Sequence, residues 1–240
     1  MNIELENIGK KYSSKGRTVL DNVSLSIRNK KCVVLYGASG SGKSTLLAIL
    51  GGYLRPSSGS VSYDGKDIAS ISDEELAGIH SEHIAYVPQE NVMLKNMTVI
   101  ENILLPLRFN KKEYVREDVE RYVDEFAQKL KIAELKDRYP YELSGGELKR
   151  VAIVRALVGQ PEVLIADEPT AGLDRETSEI ILKFISEYAD KGNTVFIASH
   201  DELARQYGEI IYKLKNHEVR KTDSRVLDDR HLYRGRRSQT

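Results

Sequence analysis

The run Cys32-Val33-Val34-Leu35-Tyr36-Gly37-Ala38-Ser39-Gly40-Ser41-Gly42-Lys43-Ser44-Thr45 constrains the fold of this chain more than any other. It begins as an apolar, β-branched stretch of strand length and passes into a turn of glycines and serines. Leu46-Leu47-Ala48-Ile49-Leu50 then continues as a helix-forming run. A strand entering a helix through such a turn points successive backbone N–H groups into one concavity, at the positive end of the helix dipole. The spacing of Gly37, Gly42, Lys43 and Ser44 fits G-x-x-x-x-G-K-[ST], the pattern of a phosphate-binding loop. In that pattern the lysine pairs the β- and γ-phosphates and the hydroxyl of Ser44 ligates Mg2+. Ala38, Ser39, Gly40 and Ser41 are small enough for the backbone to close on the phosphates. An ordinary Gly/Ser loop beside a lysine would lack this strand before it and this helix after it.

Length and charge narrow the rest. At 240 residues the chain suits one large α/β domain, or a core carrying a subdomain. Its 36 basic and 36 acidic residues balance, which argues against a dedicated nucleic-acid binder. The single cysteine, Cys32, rules out an intrachain disulfide and fits a reducing compartment. Its place in an apolar strand makes it a small core residue and not a nucleophile. No stretch approaches the roughly 20 apolar residues of a membrane span. Met1-Asn2-Ile3-Glu4 opens no signal peptide, so the expected location is cytoplasmic, with any membrane contact made through a partner.

Ile3, Leu5 and Ile8, then Val23, Leu25 and Ile27, then Val61 and Tyr63 alternate with period two. They read as antiparallel strands with one wet face, joined by turns at Ser13-Ser14-Lys15-Gly16 and Asp64-Gly65. Tyr12, at the end of the first strand, reads either as a half-buried strand-end residue or as a ring able to stack on an adenine. Ser72-Asp73-Glu74-Glu75 matches a capping box and starts a short helix. His83-Ile84-Ala85-Tyr86-Val87 reads as a strand ending at Pro88-Gln89. His80 and His83 read as surface residues and not as metal ligands.

From about residue 91 to 160 the texture becomes helical. Val115, Val119, Tyr122, Val123, Phe126 and Leu130 recur at helical spacing, and the stretch reads as a helical subdomain inserted into the core. The core resumes with Val163-Leu164-Ile165-Ala166 and Thr194-Val195-Phe196-Ile197-Ala198, apolar runs suited to parallel strands buried on both faces. A helix over residues 175–189 separates them, which makes a βαβ crossover. The expected organisation is one domain over residues 1–220 (core 1–90 and 161–220, helical subdomain 91–160) and a polar tail over 221–240.

Two further elements carry chemistry. Asp167-Glu168 lies where a buried strand ends, the place at which ligands bind in open α/β sheets. Asp167 is positioned to hold Mg2+ with Ser44, and Glu168 to reach the water that attacks the γ-phosphate. Leu143-Ser144-Gly145-Gly146-Glu147 opens a helix over residues 148–158 and forms a second anion-binding terminus. It lies about a hundred residues from the phosphate loop. A head-to-tail pairing of two chains accounts for both.

Together these motifs resemble the ATP-binding subunit of ABC transporters over about residues 1–220. Residues 37–45 resemble the Walker A motif, 163–167 the Walker B motif and 143–147 the signature motif of that family. The resemblance implies an α/β phosphate-loop NTPase fold with a mostly parallel sheet, an N-terminal antiparallel β subdomain and an inserted helical subdomain. It implies an ATPase using ATP and Mg2+, with Glu168, His200 and Lys43 catalytic and Ser44, Gln89 and Asp167 at the metal. It makes Tyr12 the adenine-stacking aromatic and Gln89 the start of the loop that senses the membrane partner. Ala171-Gly172-Leu173-Asp174 resembles the D-loop, and His200 the switch histidine. Ser144, Gly145, Gly146 and Glu147 would face the nucleotide held by a second subunit, as a homodimer bound to a separate permease contacted near residues 89–105. No nucleic acid is expected, and the location implied is the inner face of the cell membrane.

Residues 67–89, Ala166-Asp167-Glu168-Pro169-Thr170 and residues 98–107 are similar to the branch serving macrolide exporters, lipoprotein-releasing complexes and antimicrobial-peptide transporters. Ala171-Gly172 and Pro88 depart from that branch toward importer subunits. A cell-division type of regulatory ATPase is the alternative. A soluble role in DNA repair or translation fits less well, because those relatives carry coiled-coil insertions or two cassettes per chain.

Overall fold

Successive residues of one strand supply two different cores. Val33 and Leu35 face one side of a central sheet, while Cys32 and Val34 face the other. All are almost completely buried, as are Leu164 to Ala166 and Val195 to Ala198 on neighbouring strands. A strand wet on neither face belongs inside a three-layer arrangement. The computed structural model, which describes residues 1–13, 16–27 and 31–222, has that arrangement.

In chain order the strands are β1 (Ile3–Lys11), β2 (Thr18–Ile27), β3 (Cys32–Tyr36), β4 (Ser58–Tyr63), β5 (Lys66–Asp67), β6 (Ile84–Val87), β7 (Val163–Asp167), β8 (Thr194–Ser199), β9 (Ile210–Lys215) and β10 (Glu218–Thr222). The helices are α1 (Lys43–Leu50), α2 (Asp73–Glu82), α3 (Val99–Leu104), α4 (Arg116–Lys129), α5 (Gly145–Leu157), α6 (Arg175–Asp190) and α7 (Glu202–Arg205). The antiparallel sheet has the order β2-β1-β4-β5, and the central sheet the order β10-β9-β3-β8-β7-β6. Strands β9, β3, β8, β7 and β6 run parallel, and β10 closes one edge antiparallel to β9.

One core lies between the antiparallel sheet, α1 and the face carrying Val33, Leu35, Ile165 and Phe196. The other lies between the opposite face and α3, α4, α5 and α6. Residues 91–160 therefore have no core of their own. Val99, Ile103, Val123, Phe126 and Ile153 share one cluster with Val34, Leu164 and Ile197 of the sheet.

The expected antiparallel strands, the crossover helix and the amphipathic α4 are all present. Four local readings differ. Val115 precedes α4 and is exposed instead of joining its apolar stripe. The box at Ser72 forms only in half, because Glu75 pairs with Lys66 at 2.5 Å instead of reaching back. His80 is no free surface residue: it stacks on Tyr53 with ring centroids 4.3 Å apart and bonds the Gly51 carbonyl at 2.7 Å. Chain past Arg220 continues β10 to Thr222, paired with Ile211. Ser14 and Lys15 of the first turn, and the tail from residue 223, lie outside the described residues.

Candidate active site

The adjacent strands β3, β8, β7 and β6 are parallel, so all four release the chain at the same edge of the sheet. Their carboxyl ends deliver Gly37, Ser199-His200, Asp167-Glu168 and Gln89 respectively. One topological fact thus gathers residues spread over most of the chain.

The loop after β3 is shaped for close backbone approach. Gly42 takes φ 107° as the residue before α1, and no side chain caps that helix. A Cβ on Gly42 would lie 2.9 Å from Val19 Cγ1, and one on Gly37 would lie 2.8 Å from the Leu214 carbonyl oxygen. The first turn of α1 holds no acidic residue to compete for its N–H groups. Ser41 Oγ is buried in the same loop without a hydrogen-bond partner. Tyr12 is 64% exposed just beyond β1, with its hydroxyl 3.1 Å from Thr45 Oγ1 at the start of α1. The half-buried reading of Tyr12 is therefore wrong, because the strand ends before the ring can reach the core.

Lys43 Nζ is buried and uses all three of its donors. It donates to Gly37 O at 2.9 Å and Ala38 O at 3.2 Å, and pairs with Glu168 Oε1 at 3.1 Å. Glu168 Oε2 accepts at 2.9 Å from His200 Nδ1 and at 3.3 Å from the His200 backbone N–H. Glu168 also takes a left-handed backbone, φ 47°, anchored by its N–H to Ala198 O at 2.9 Å. A non-glycine residue held there costs energy that the surrounding structure must offset, and such residues cluster at functional sites.

Asp167 is buried beside it. Burial raises its carboxyl above the ordinary aspartate range, with the Glu168 charge adding to the effect and the Ser44 and Tyr86 hydroxyls opposing it. Tyr86 OH donates to Oδ2 at 3.4 Å, while Oδ1 is buried with no hydrogen-bond partner. A buried carboxylate oxygen left without a donor, with a serine hydroxyl nearby, suits a hard cation. The donor set Ser44, Asp167 and Gln89 is all oxygen, as Mg2+ requires. Gln89 itself is exposed at the end of β6.

Ser144 lies elsewhere, at the N-terminus of α5. Its hydroxyl and backbone N–H both donate to Glu147 Oε2, at 2.7 and 2.8 Å, and its Oγ accepts from Glu147 N at 3.4 Å. The capping box is complete, and these bonds hold the Glu147 carboxyl below the ordinary glutamate range. Ser144 and Gly145 are exposed, with nothing within 4 Å of a Cβ on Gly145. Asp174 caps α6 through Thr177 N at 2.8 Å. The phosphate loop, Asp167, Glu168, His200 and Gln89 therefore share one edge, and residues 144–147 belong to another helix of the same chain.

Three polar residues around the site were not read from the sequence. Asn102 is fully buried and donates to the carbonyls of Leu94, Met97 and Thr98 at 3.0–3.1 Å while accepting from Leu94 N. Tyr86 is the second, and Lys149 the third, buried on α5 in line with Ile153 and Leu157. A lysine at the head of an apolar i, i+4, i+8 stripe was a readable signal.

Comparison with known proteins adds the context. A family model described as ABC transporter matches residues 20–171. The lipoprotein-releasing system ATP-binding protein LolD of Buchnera aphidicola is 39% identical over 213 residues, covering 88% of this chain and 92% of that protein. The macrolide export ATP-binding/permease protein MacB of Chlorobaculum tepidum is 35% identical over 95% of this chain, which spans 34% of MacB. Among solved structures, the dimeric post-hydrolysis state of the cassette MJ0796 bound to ADP and Pi superposes with a TM-score of 0.85. That match has 33% identity and covers 93% of this chain and 99% of that one.

Proposed function

The chain belongs to the ABC transporter family, and from that premise we propose that two copies sandwich ATP and drive a separate membrane permease. It is an ATPase on the phosphate-loop NTPase fold, in the branch that includes the lipoprotein-releasing and macrolide-export proteins. What remains for proposal is how its residues divide the work.

Lys43 and Glu168 pair with one another at 3.1 Å and neutralise each other's charge. A γ-phosphate entering between them would take over Lys43 as its counter-ion and release Glu168 to accept a proton from the attacking water. His200, bonded to Glu168 Oε2, orients that carboxylate and follows it toward the phosphate. Residues 37–45 bind the phosphates through backbone N–H groups, and Tyr12 stacks on the base. Ser44, Asp167 and Gln89 would hold Mg2+, whose contribution is to neutralise charge on the phosphate oxygens.

The observation that carries the dimer is the exposure of Ser144 and Gly145 at the N-terminus of α5, a helix separate from the one that the phosphate loop opens. Such an exposed terminus suits a γ-phosphate brought by another chain. Glu147 would act by holding Ser144 in place, since both of its contacts run to that residue. The permease would dock near residues 89–105. Val92 and Leu94 are exposed in that segment, and a cleft of about 400 Å3 lined by Tyr86, Pro88, Pro106, Leu107, Phe109 and Ala152 flanks its two ends.

Mixing two inactive variants tests the sandwich. Lys43→Ala destroys one chain's phosphate loop, and Ser144→Arg blocks the other chain's terminus. Each alone should be inactive, and an equimolar mixture should regain ATPase activity through its one intact composite site. A mixture as inactive as its parts overturns the head-to-tail arrangement.

A further inference from the structure

The helix that presents Ser144 also grips the loop after Gln89. Lys149 is 2% exposed, and its Nζ donates to Gln89 O at 2.7 Å and Pro88 O at 3.2 Å. Arg155, further along α5, donates to Val92 O at 2.7 Å. In the opposite direction Asn91 Nδ2 donates to Gly145 O, next to Ser144, at 3.3 Å. The Lys149 and Arg155 bonds hold backbone carbonyls of the loop, so they fix its position whatever its outward residues contact. Packing alone does not call for a lysine here. Methionine or leucine would continue the stripe of Ile153 and Leu157 without burying an ammonium, whose desolvation is costly. Burial indeed pulls the Lys149 ammonium below the ordinary lysine range, against the attraction of Asp167. The two carbonyls are what offset that cost.

We propose that Lys149 is a positioning residue for ATP hydrolysis, tying the Gln89 backbone to α5 so that loop and signature terminus move as one body. A push on residues 89–98 then shifts Ser144 and Gly145 with it. Equally, engagement of that terminus by a nucleotide sets where Gln89 stands over the metal site. The consequence for the metal rests on the proposed role of Gln89, whereas the tether itself does not.

The test uses the full chain with Lys149→Met, which fills the stripe without donors, and Lys149→Gln, which keeps a neutral donor. Backbone hydrogen exchange over residues 89–94, measured without nucleotide, should quicken at least about tenfold in Lys149→Met, the worth of one charge-assisted bond. The Mg2+ concentration for half-maximal ATPase should rise about tenfold, while the affinity of a fluorescent ATP analogue in EDTA stays within about twofold. Lys149→Gln should fall between Lys149→Met and the parent in both. Unchanged exchange over residues 89–94 overturns the tether. So does exchange quickened along all of α5 with nucleotide affinity in EDTA falling in step, because that is a general loss of packing. Gln89→Ala, run in parallel, separates the readings. If its Mg2+ requirement matches the parent, the role of Gln89 fails, and exchange alone decides Lys149.

Discussion

Replacing Glu168 by glutamine perturbs its buried contact with Lys43. Lys43 Nζ then keeps its bonds to Gly37 O and Ala38 O, at 2.9 and 3.2 Å, and an amide oxygen stands in for the carboxylate at 3.1 Å. The geometry survives, but the charge leaves a contact whose side chains are 5% and 8% exposed. A charge-assisted bond exceeds a neutral one by about 1–2 kcal/mol. In a chain of this length that lowers Tm by roughly 2–8 °C. With ATP the order reverses. The γ-phosphate becomes the counter-ion of Lys43, and no carboxylate opposes it, so ATP stabilises Glu168→Gln more than the parent. Loss of the general base lowers phosphate release about 10²–10⁴-fold. Thermal unfolding with and without MgATP, together with phosphate release, reads the three effects. Turnover within tenfold of the parent, or an ATP-induced Tm shift no larger than the parent's, refutes the roles given to Glu168 and Lys43.

Burial depresses the His80 pKa below 6.5, and the Gly51 hydrogen bond only partly offsets this. The unfolded chain therefore takes up the proton first, so the stability due to His80 is complete above pH 6.5 and lost as pH falls through the folded value. His80→Phe keeps the stack on Tyr53 and should flatten the fall in Tm between about pH 7.5 and 5.5; an unaltered slope assigns the effect elsewhere. Asn102→Ala removes donors from three carbonyls and an acceptor from Leu94 N, and should cost about 2–4 kcal/mol in denaturant unfolding. A cost under 1 kcal/mol would mean that water replaces the amide. Tyr86→Phe deletes the 3.4 Å bond to Asp167 Oδ2 and should raise the half-saturating Mg2+ about two- to tenfold.

The sequence disclosed the strand ends and turns that build the site because those residues answer to backbone geometry. Gly37, Gly42 and Asp167-Glu168 lie where a chain must turn sharply or stop being apolar, and both demands show in residue type. The sheet could be read as parallel from Val163 to Ala166 and Thr194 to Ala198, which are apolar without alternation. The strand order was not legible. Nothing local says that β8 separates β3 from β7, since that depends on which faces α1 and α6 cover. His80 was misread because its partners are the Gly51 carbonyl and the Tyr53 ring, both far away in the chain. Lys149 escaped for the same reason, compounded by its charge. Its residue type signals a solvated face, and only the carbonyls of Pro88 and Gln89 explain its burial.

The position of β8 also governs the order in which the molecule can be completed during synthesis. The strand bearing the phosphate loop and the strand bearing Asp167 never touch, because β8 pairs with both. A nascent chain that has released everything up to residue 193 owns both halves of a nucleotide site but lacks the spacer that brings them into register. It also lacks His200. ATP therefore has no complete site on the growing polypeptide until residues 194–200 have emerged. Until then the long-range pairing of β3 must wait, and its apolar edge is the surface that a chaperone would have to shield.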